Sequence, residues 1–383
     1  MISHGRRMII SPQQNSPEVC TKAGCIRGTV ESGRKKGYEA FTGVPYAEPP
    51  IGNLRFENPV PHRGWSGYWN ATYPRDDCLQ RNVFLTYKPI VGSEDCLYLN
   101  VYRPLERKRK LPVIVYIHGG CFIAFSSKPG FFGPEYLIDT GEVILVTMNY
   151  RLGMFGFLCS GDGAVKGNFG LKDQQLALKW VASNIEAFGG DPDSITLAGQ
   201  SVGAISTQYH MMNPVSQDLF HRAVVISGSI DAFWSFGDDE EDNFRLSSKY
   251  AGLKNWNTAS SLELANELKK LDAMSLVLAL DELFLFDLTP FVPLRPCMEA
   301  ANQYLHYTDT TKNPIYIYEF GFTGRDTVVK YLSGKDINVG VSHLDDMIYL
   351  FTMKDLFLPL KPDTPEGKMS DVFLKNLLLP IVK

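Results

Sequence analysis

Residues 194–203, SITLAGQSVG, constrain this chain more than any other stretch. Residues 194–198 are short and mostly apolar and read as a buried strand. Gly199-Gln200-Ser201-Val202-Gly203 follows, and the sequence VGAISTQYHMM after it has helical character. A serine with glycines two residues to either side, between a strand and a helix, has the form of a nucleophile elbow. Such a turn strains the serine backbone, and glycine at 199 and 203 lets strand and helix approach closely. The strain aims one side chain, the hydroxyl of Ser201. G-x-S-x-G also occurs in ordinary Gly/Ser turns, so the flanking strand and helix are what single this one out.

That strand needs a sheet, and the sequence supplies one. In LPVIVYIHGGCF (111–122), Val113, Val115 and Ile117 alternate with other apolar residues, as in a strand covered on both faces. His118-Gly119-Gly120 at its end is either a tight turn or a loop whose backbone amides touch a substrate oxygen. EVILVTMNYRLGMFGFL (142–158) is a second buried strand, and residues 168–192 read as a helix stopped by Gly189-Gly190 and Pro192. HRAVVISGS (221–229) is a further strand. Strand, helix, strand, helix, strand implies an α/β chain with a mostly parallel central sheet and helices on both faces.

The remaining segments are read more coarsely. Residues 25–30 form an opening strand, 41–59 a Pro- and Gly-rich loop, and 238–242 (DDEED) a solvated acidic loop. Residues 261–280 form one or two helices, 295–307 a helix, 313–320 a strand, and 340–351 a turn into a helix. The apolar tail LKNLLLPIV packs or frays.

Composition bounds the function. A chain of 383 residues with 44% hydrophobic and 21% charged content buries a large core. A net charge of −4 gives no reason to expect nucleic acid or an anionic membrane as partner. No apolar run approaches a membrane span, so no integral membrane segment is expected. Residues 1–23 read as an N-terminal extension, and the apolar run after its arginines is too short for a secretory leader. Of seven cysteines, Cys78 and Cys96 enclose a polar loop. They are either two buried thiols or a bridge worth about 3 kcal/mol. Asn70-Ala71-Thr72 is a glycosylation sequon, relevant only to an exported chain. No Cys/His spacing suggests a metal, and no cofactor is expected. His118, His210, His221 and His306 read as structural.

Taken together, the motifs resemble the type-B carboxylesterase family of the α/β-hydrolase fold, with insect esterases nearest in style. The similar pieces, in family order, are FTGVPYAEPPIGNLRF, SEDCLYLNVYRP, PVIVYIHGGCF, VTMNYRLGMFGFL, GNFGLKDQQLALKWVASNIEAFGGDP, SITLAGQSVGA and GVSHLDDMIYLF. The resemblance implies Ser201 as nucleophile and His343, in a G-x-x-H-x-x-D setting, as general base. It implies an oxyanion hole from the amides of Gly119, Gly120 and Val202, and a Cys78–Cys96 disulfide. It further implies hydrolysis of a small-molecule carboxylic ester through an acyl-enzyme, and an extracellular location, with the cytoplasm as the alternative. Gln200 resembles the insect-type esterases more than the vertebrate ones, where glutamate is usual.

Three departures stand out. Val202 replaces the usual alanine and crowds the hole or acyl pocket. The 78–96 loop has Phe84 and Tyr87 but no tryptophan, which argues against a choline ester. Ser201 and His343 are only 142 residues apart. Residues 24–383 are therefore read as one domain, internally shortened near 290–300, short at the C-terminus, with loss of an inner strand as an expectation. The segment carrying the triad acid is missing. Asp231, directly after the strand AVVISGS, is the substitute acid considered first, ahead of Asp281, Glu282 and Asp287. The alternative to a serine esterase with weakened activity is a non-catalytic binding or adhesion member of the fold, or an inactive product.

Overall fold

The computed structural model describes residues 16–283, except 86, 88, 233, 234 and 236–239, and beyond them 296, 322, 343 and 345–375. The strands in chain order are β1 (Glu18–Thr21), β2 (Gly24–Arg27), β3 (Thr29–Ser32), β4 (Gly37–Pro45), β5 (Tyr68–Asn70) and β6 (Gln80–Arg81). They continue with β7 (Ile90–Val91), β8 (Tyr98–Pro104), β9 (Leu111–Ile117), β10 (Ile144–Met148), β11 (Gly190–Gln200) and β12 (Arg222–Ile226). The helices are α1 (Glu135–Ile138), α2 (Gly153–Phe157), α3 (Phe169–Asn184), α4 (Val202–Met212), α5 (Glu240–Tyr250), α6 (Ser261–Leu268), α7 (Ala273–Asp281) and α8 (Pro365–Phe373).

The central sheet has the order β12-β11-β9-β10-β8-β4-β3. Its inner strands β9 and β10 are apolar at nearly every position and buried throughout because both faces are covered. Val113, Val115 and Ile117 of β9 face one core with Leu197 of β11 and with α3 and α4 residues such as Leu178 and Ile205. Ile114 and Tyr116 face a second core with Tyr136 and Leu137 of α1, Met347, and Phe373 of α8. The strand period of two thus divides one apolar run between two layers.

The sheet is half parallel. β12, β11, β9 and β10 run parallel, whereas the β10–β8, β8–β4 and β4–β3 pairings are antiparallel. The strand–helix crossovers legible in the sequence build the parallel half. The antiparallel half comes from N-terminal segments, including β4, which runs into the stretch read as loop from 41 onward.

Other readings shift as well. Residues 18–21, assigned to an N-terminal extension, form β1 and pair with β2 through Glu18↔Arg27 and Cys20↔Cys25. The acidic run is not wholly loop: Glu240, Glu241 and Asp242 make the first turn of α5. Carboxylates at a helix N-terminus oppose its positive dipole end, so the charge run starts a helix. The region 261–280 is two helices, α6 and α7, each with a capping side chain, Ser260 and Asp272. The 295–307 helix, the 313–320 strand, the shortening near 290–300 and most of the C-terminal tail lie outside the described residues. On its outer side β12 has no strand neighbour among the described residues.

Candidate active site

β11 ends at Gln200, α4 begins at Val202, and Ser201 between them has φ 57° and ψ −124°. An L-residue is strained in this region. Three glycines leave the turn no other shape. A Cβ on Gly199 would stand 2.1 Å from the Gly203 carbonyl oxygen, and one on Gly203 2.2 Å from that of Ile117. A Cβ on Gly228 would stand 2.2 Å from the carbonyl oxygen of Ser201 itself. Gly228 was not singled out in the sequence; its signal is its place just past the strand beside the elbow. The Ser201 amide donates to the Ile226 carbonyl of β12 at 2.9 Å, which pins the turn to the sheet.

The glycine pair after β9 lies against this turn. A Cβ on Gly119 would meet Ser201 Cβ at 3.1 Å and Gln200 Oε1 at 2.6 Å. Gly120 has φ 101°, open to glycine, and its carbonyl accepts from the amides of Ile123 and Ala124 at 3.0 Å. The amides of Gly119 and Gly120 donate to no backbone carbonyl outside regular elements among the described residues. Val202 is the first residue of α4, where amides lack an intrahelical acceptor and the helix dipole is positive. Gly119 and the N-terminus of α4 therefore lie beside the serine. His118 is buried and stacks on Tyr150 with ring centroids 4.4 Å apart. Burial pushes its pKa down to about 4, so its role here is packing in the neutral form.

His343 lies in an exposed turn just ahead of the buried 3-10 helix Asp345–Tyr349. It was expected within hydrogen-bond reach of the Ser201 hydroxyl. Instead its Nε2 lies 3.1 Å from Nε2 of Gln200, the residue before the serine. No hydrogen bond joins Ser201 to His343 among the described residues. The imidazole edge thus meets the fully buried Gln200 side chain beside the elbow. Although the residue as a whole is exposed, desolvation on the side facing the protein holds its pKa below the ordinary imidazole value.

No carboxylate contacts His343 among the described residues. Asp231 is exposed, and its backbone amide donates to Ser229 Oγ at 3.2 Å. Asp281 is paired with Arg81 at 2.7 Å, Glu282 is exposed, and Asp287 lies outside the described residues. Asp346 is buried, and burial raises its pKa to about 6.

Cys78 and Cys96 form a disulfide with Cα atoms 4.8 Å apart, and a second bridge joins Cys20 to Cys25 across the β1–β2 hairpin. Cys121 is a free thiol, and Cys159 is buried. Asn70 ends β5 on an exposed face, and its Oδ1 accepts from the Thr72 amide at 3.2 Å and hydroxyl at 2.7 Å. Among the described residues no cluster suits a metal ion, and no helix is long and apolar enough to cross a membrane.

The chain is similar in sequence to known proteins. The sequence model of the Carboxylesterase family matches residues 15–307. The chain is 39% identical over 307 residues to juvenile hormone esterase of Tribolium castaneum, covering 79% of this chain and 51% of that protein. It is 41% identical over 301 residues to esterase E4 of Myzus persicae, 75% of this chain and 52% of that one. It is 38% identical over 289 residues to venom carboxylesterase-6 of Apis mellifera, 74% and 51% respectively. The chain thus spans about half the length of the curated relatives it matches.

Proposed function

The chain belongs to the carboxylesterase family, with its α/β-hydrolase fold, and from that premise we propose that it is a serine carboxylic-ester hydrolase acting through an acyl-enzyme on Ser201. The observation that carries the reading is the strained Ser201 turn at φ 57°, locked by Gly199, Gly203 and Gly228. A backbone held in this unfavourable region needs a use, and aiming the hydroxyl past Gly119 is one. In the proposed cycle His343 takes the Ser201 proton as the oxygen attacks the ester carbonyl. The amides of Gly119, Gly120 and Val202 hold the oxyanion, His343 returns the proton to the leaving alcohol, and water then frees the acid. No cofactor is called for, and the substrate is a small carboxylic ester. Val202, larger than the usual alanine, narrows the acyl side.

The domain is proposed to be internally shortened near 290–300, which removes the acid segment. Asp231 is retained as the substitute acid for test. Without such a partner the tautomer of His343 is unfixed, and turnover is expected to be about 10⁴-fold below that of a complete triad. That no carboxylate contacts His343 among the described residues favours a second reading, a non-catalytic binding member of the fold. A fluorophosphonate probe separates the two. Covalent labelling that vanishes in Ser201→Ala supports the hydrolase, and an unlabelled folded chain supports the binding protein. Loss of residual turnover in Asp231→Asn would assign the acid.

An extracellular location, rather than the cytoplasm, is proposed on the strength of the two disulfides. Asn70 is proposed as a glycan acceptor, since Thr72 engages its carbonyl oxygen and leaves the amide nitrogen facing solvent. A single glycosidase-sensitive mass step, absent in Asn70→Gln, is expected when the chain passes through a secretory pathway.

A further inference from the structure

We propose that Gln200 is a positioning residue for His343: its amide holds the imidazole edge beside the serine turn, and does so without adding charge. The inference rests on the reading of Ser201 and His343 as nucleophile and base. Three observations carry it. Gln200 is the last residue of β11, fully buried, and its backbone pairs with Ile226 of β12, one residue past the end of the β11–β9 pairing at Gly199↔Ile117. Its Nε2 lies 3.1 Å from His343 Nε2. Its Oε1 is buried without a hydrogen-bond partner, close to where a Gly119 side chain would begin.

The chemistry follows from what an amide can do. An imidazole nitrogen holding a lone pair accepts from the Gln200 NH₂ group, as in the observed contact. To take the Ser201 proton, Nε2 must first release the Gln200 NH₂ from its single lone pair; the new N–H then needs an acceptor until the proton passes to the leaving alcohol. The unpartnered Oε1 sits on the same carbon and meets that need by rotation of the amide. Gln200 can therefore follow His343 through both halves of the proton cycle. A methionine of similar size could do neither, and a glutamate could serve only the protonated half.

Neutrality is the second part. Desolvation depresses the titration of His343, and among the described residues no charged neighbour bears on the ring. Asp345 and Asp346 follow it on its own segment, Asp231 lies beyond β12, and His118 follows β9. Gln200, the group in contact, carries no charge. The base therefore stays unprotonated to lower pH than a free imidazole. A carboxylate at position 200 would reverse this by favouring the imidazolium.

The test uses the full chain and the variants Gln200→Glu and Gln200→Met, with folding checked by circular dichroism. His343 is titrated by NMR with isotope-labelled histidine and assigned by its loss in His343→Ala. In parallel, Ser201 labelling by a fluorophosphonate is followed against pH. In Gln200→Glu both the His343 titration and the acid limb of labelling are expected to move up by about one pH unit or more. In Gln200→Met the titration should stay low while labelling slows about tenfold or more at every pH. A His343 titration that Gln200→Glu leaves in place would overturn the proposal, as would parental labelling rates in a folded Gln200→Met. A parent chain that never labels, but whose His343 titration still moves in Gln200→Glu, would sink the hydrolase reading and keep the contact.

Discussion

Ser201 concentrates the residue-scale argument. Its φ of 57° is enforced from three sides, by Gly199 against Gly203, Gly203 against Ile117, and Gly228 against Ser201. The strain belongs to the Cβ, not to the hydroxyl. Replacing Ser201 by alanine keeps the Cβ and the strain, whereas glycine removes both. Relief of such strain is worth about 1–3 kcal/mol, offset by about 0.5–1 kcal/mol for the freer unfolded chain. Ser201→Gly is therefore expected to unfold at higher denaturant than Ser201→Ala, with both unreactive to fluorophosphonates. Coincident denaturation midpoints would mean that the turn stores no strain.

At the scale of elements, the short 3-10 helix Asp345–Tyr349 is buried throughout, which is unusual for a segment opening with two aspartates. Burial raises the pKa of Asp346 from an ordinary 3.8 to about 6. Between those values the folded chain holds a proton that the unfolded chain has released. Stability therefore falls as pH rises from about 4 to 6 and stays lower above that range. Asp346→Asn should remove this loss. The variant is expected to exceed the parent by on the order of 1–3 kcal/mol at pH 8 and to match it near pH 4. Urea titrations at the two pH values measure it, and an equal effect at both would exclude a buried, protonated Asp346.

For the whole molecule, the Cys78–Cys96 bridge connects stability to the site. The loop it closes carries Gln80, whose side chain donates to the Phe125 carbonyl at 2.8 Å and accepts from the Phe125 amide at 2.7 Å. Phe125 ends the turn that begins at Gly119, so the bridge steadies the proposed oxyanion loop from outside. Its loop, 18 residues of separation, corresponds to about 3 kcal/mol in the chain-entropy account. The double variant Cys78→Ser, Cys96→Ser is expected to lose about that much. It should also label more slowly at Ser201 under conditions where it is still folded. A loss confined to stability would separate the bridge from the site.

The sequence by itself determined what depends on spacing and local sterics. The elbow 199–203, the glycine pair 119–120 and the apolar strands 111–117 and 144–148 were legible because a tight turn demands glycine and a two-faced strand demands a continuous apolar run. The tertiary structure decided what depends on residues far apart in the chain. Residues 18–21 became a strand because Gly24–Arg27 lies beside them, and the acidic run became a helix start because a dipole favours it there. Gly228 mattered only once β12 brought it against the Ser201 carbonyl. The partner of His343 was set the same way: a motif can nominate an imidazole, but only packing chooses which side chain fills the space beside it, and here that is Gln200.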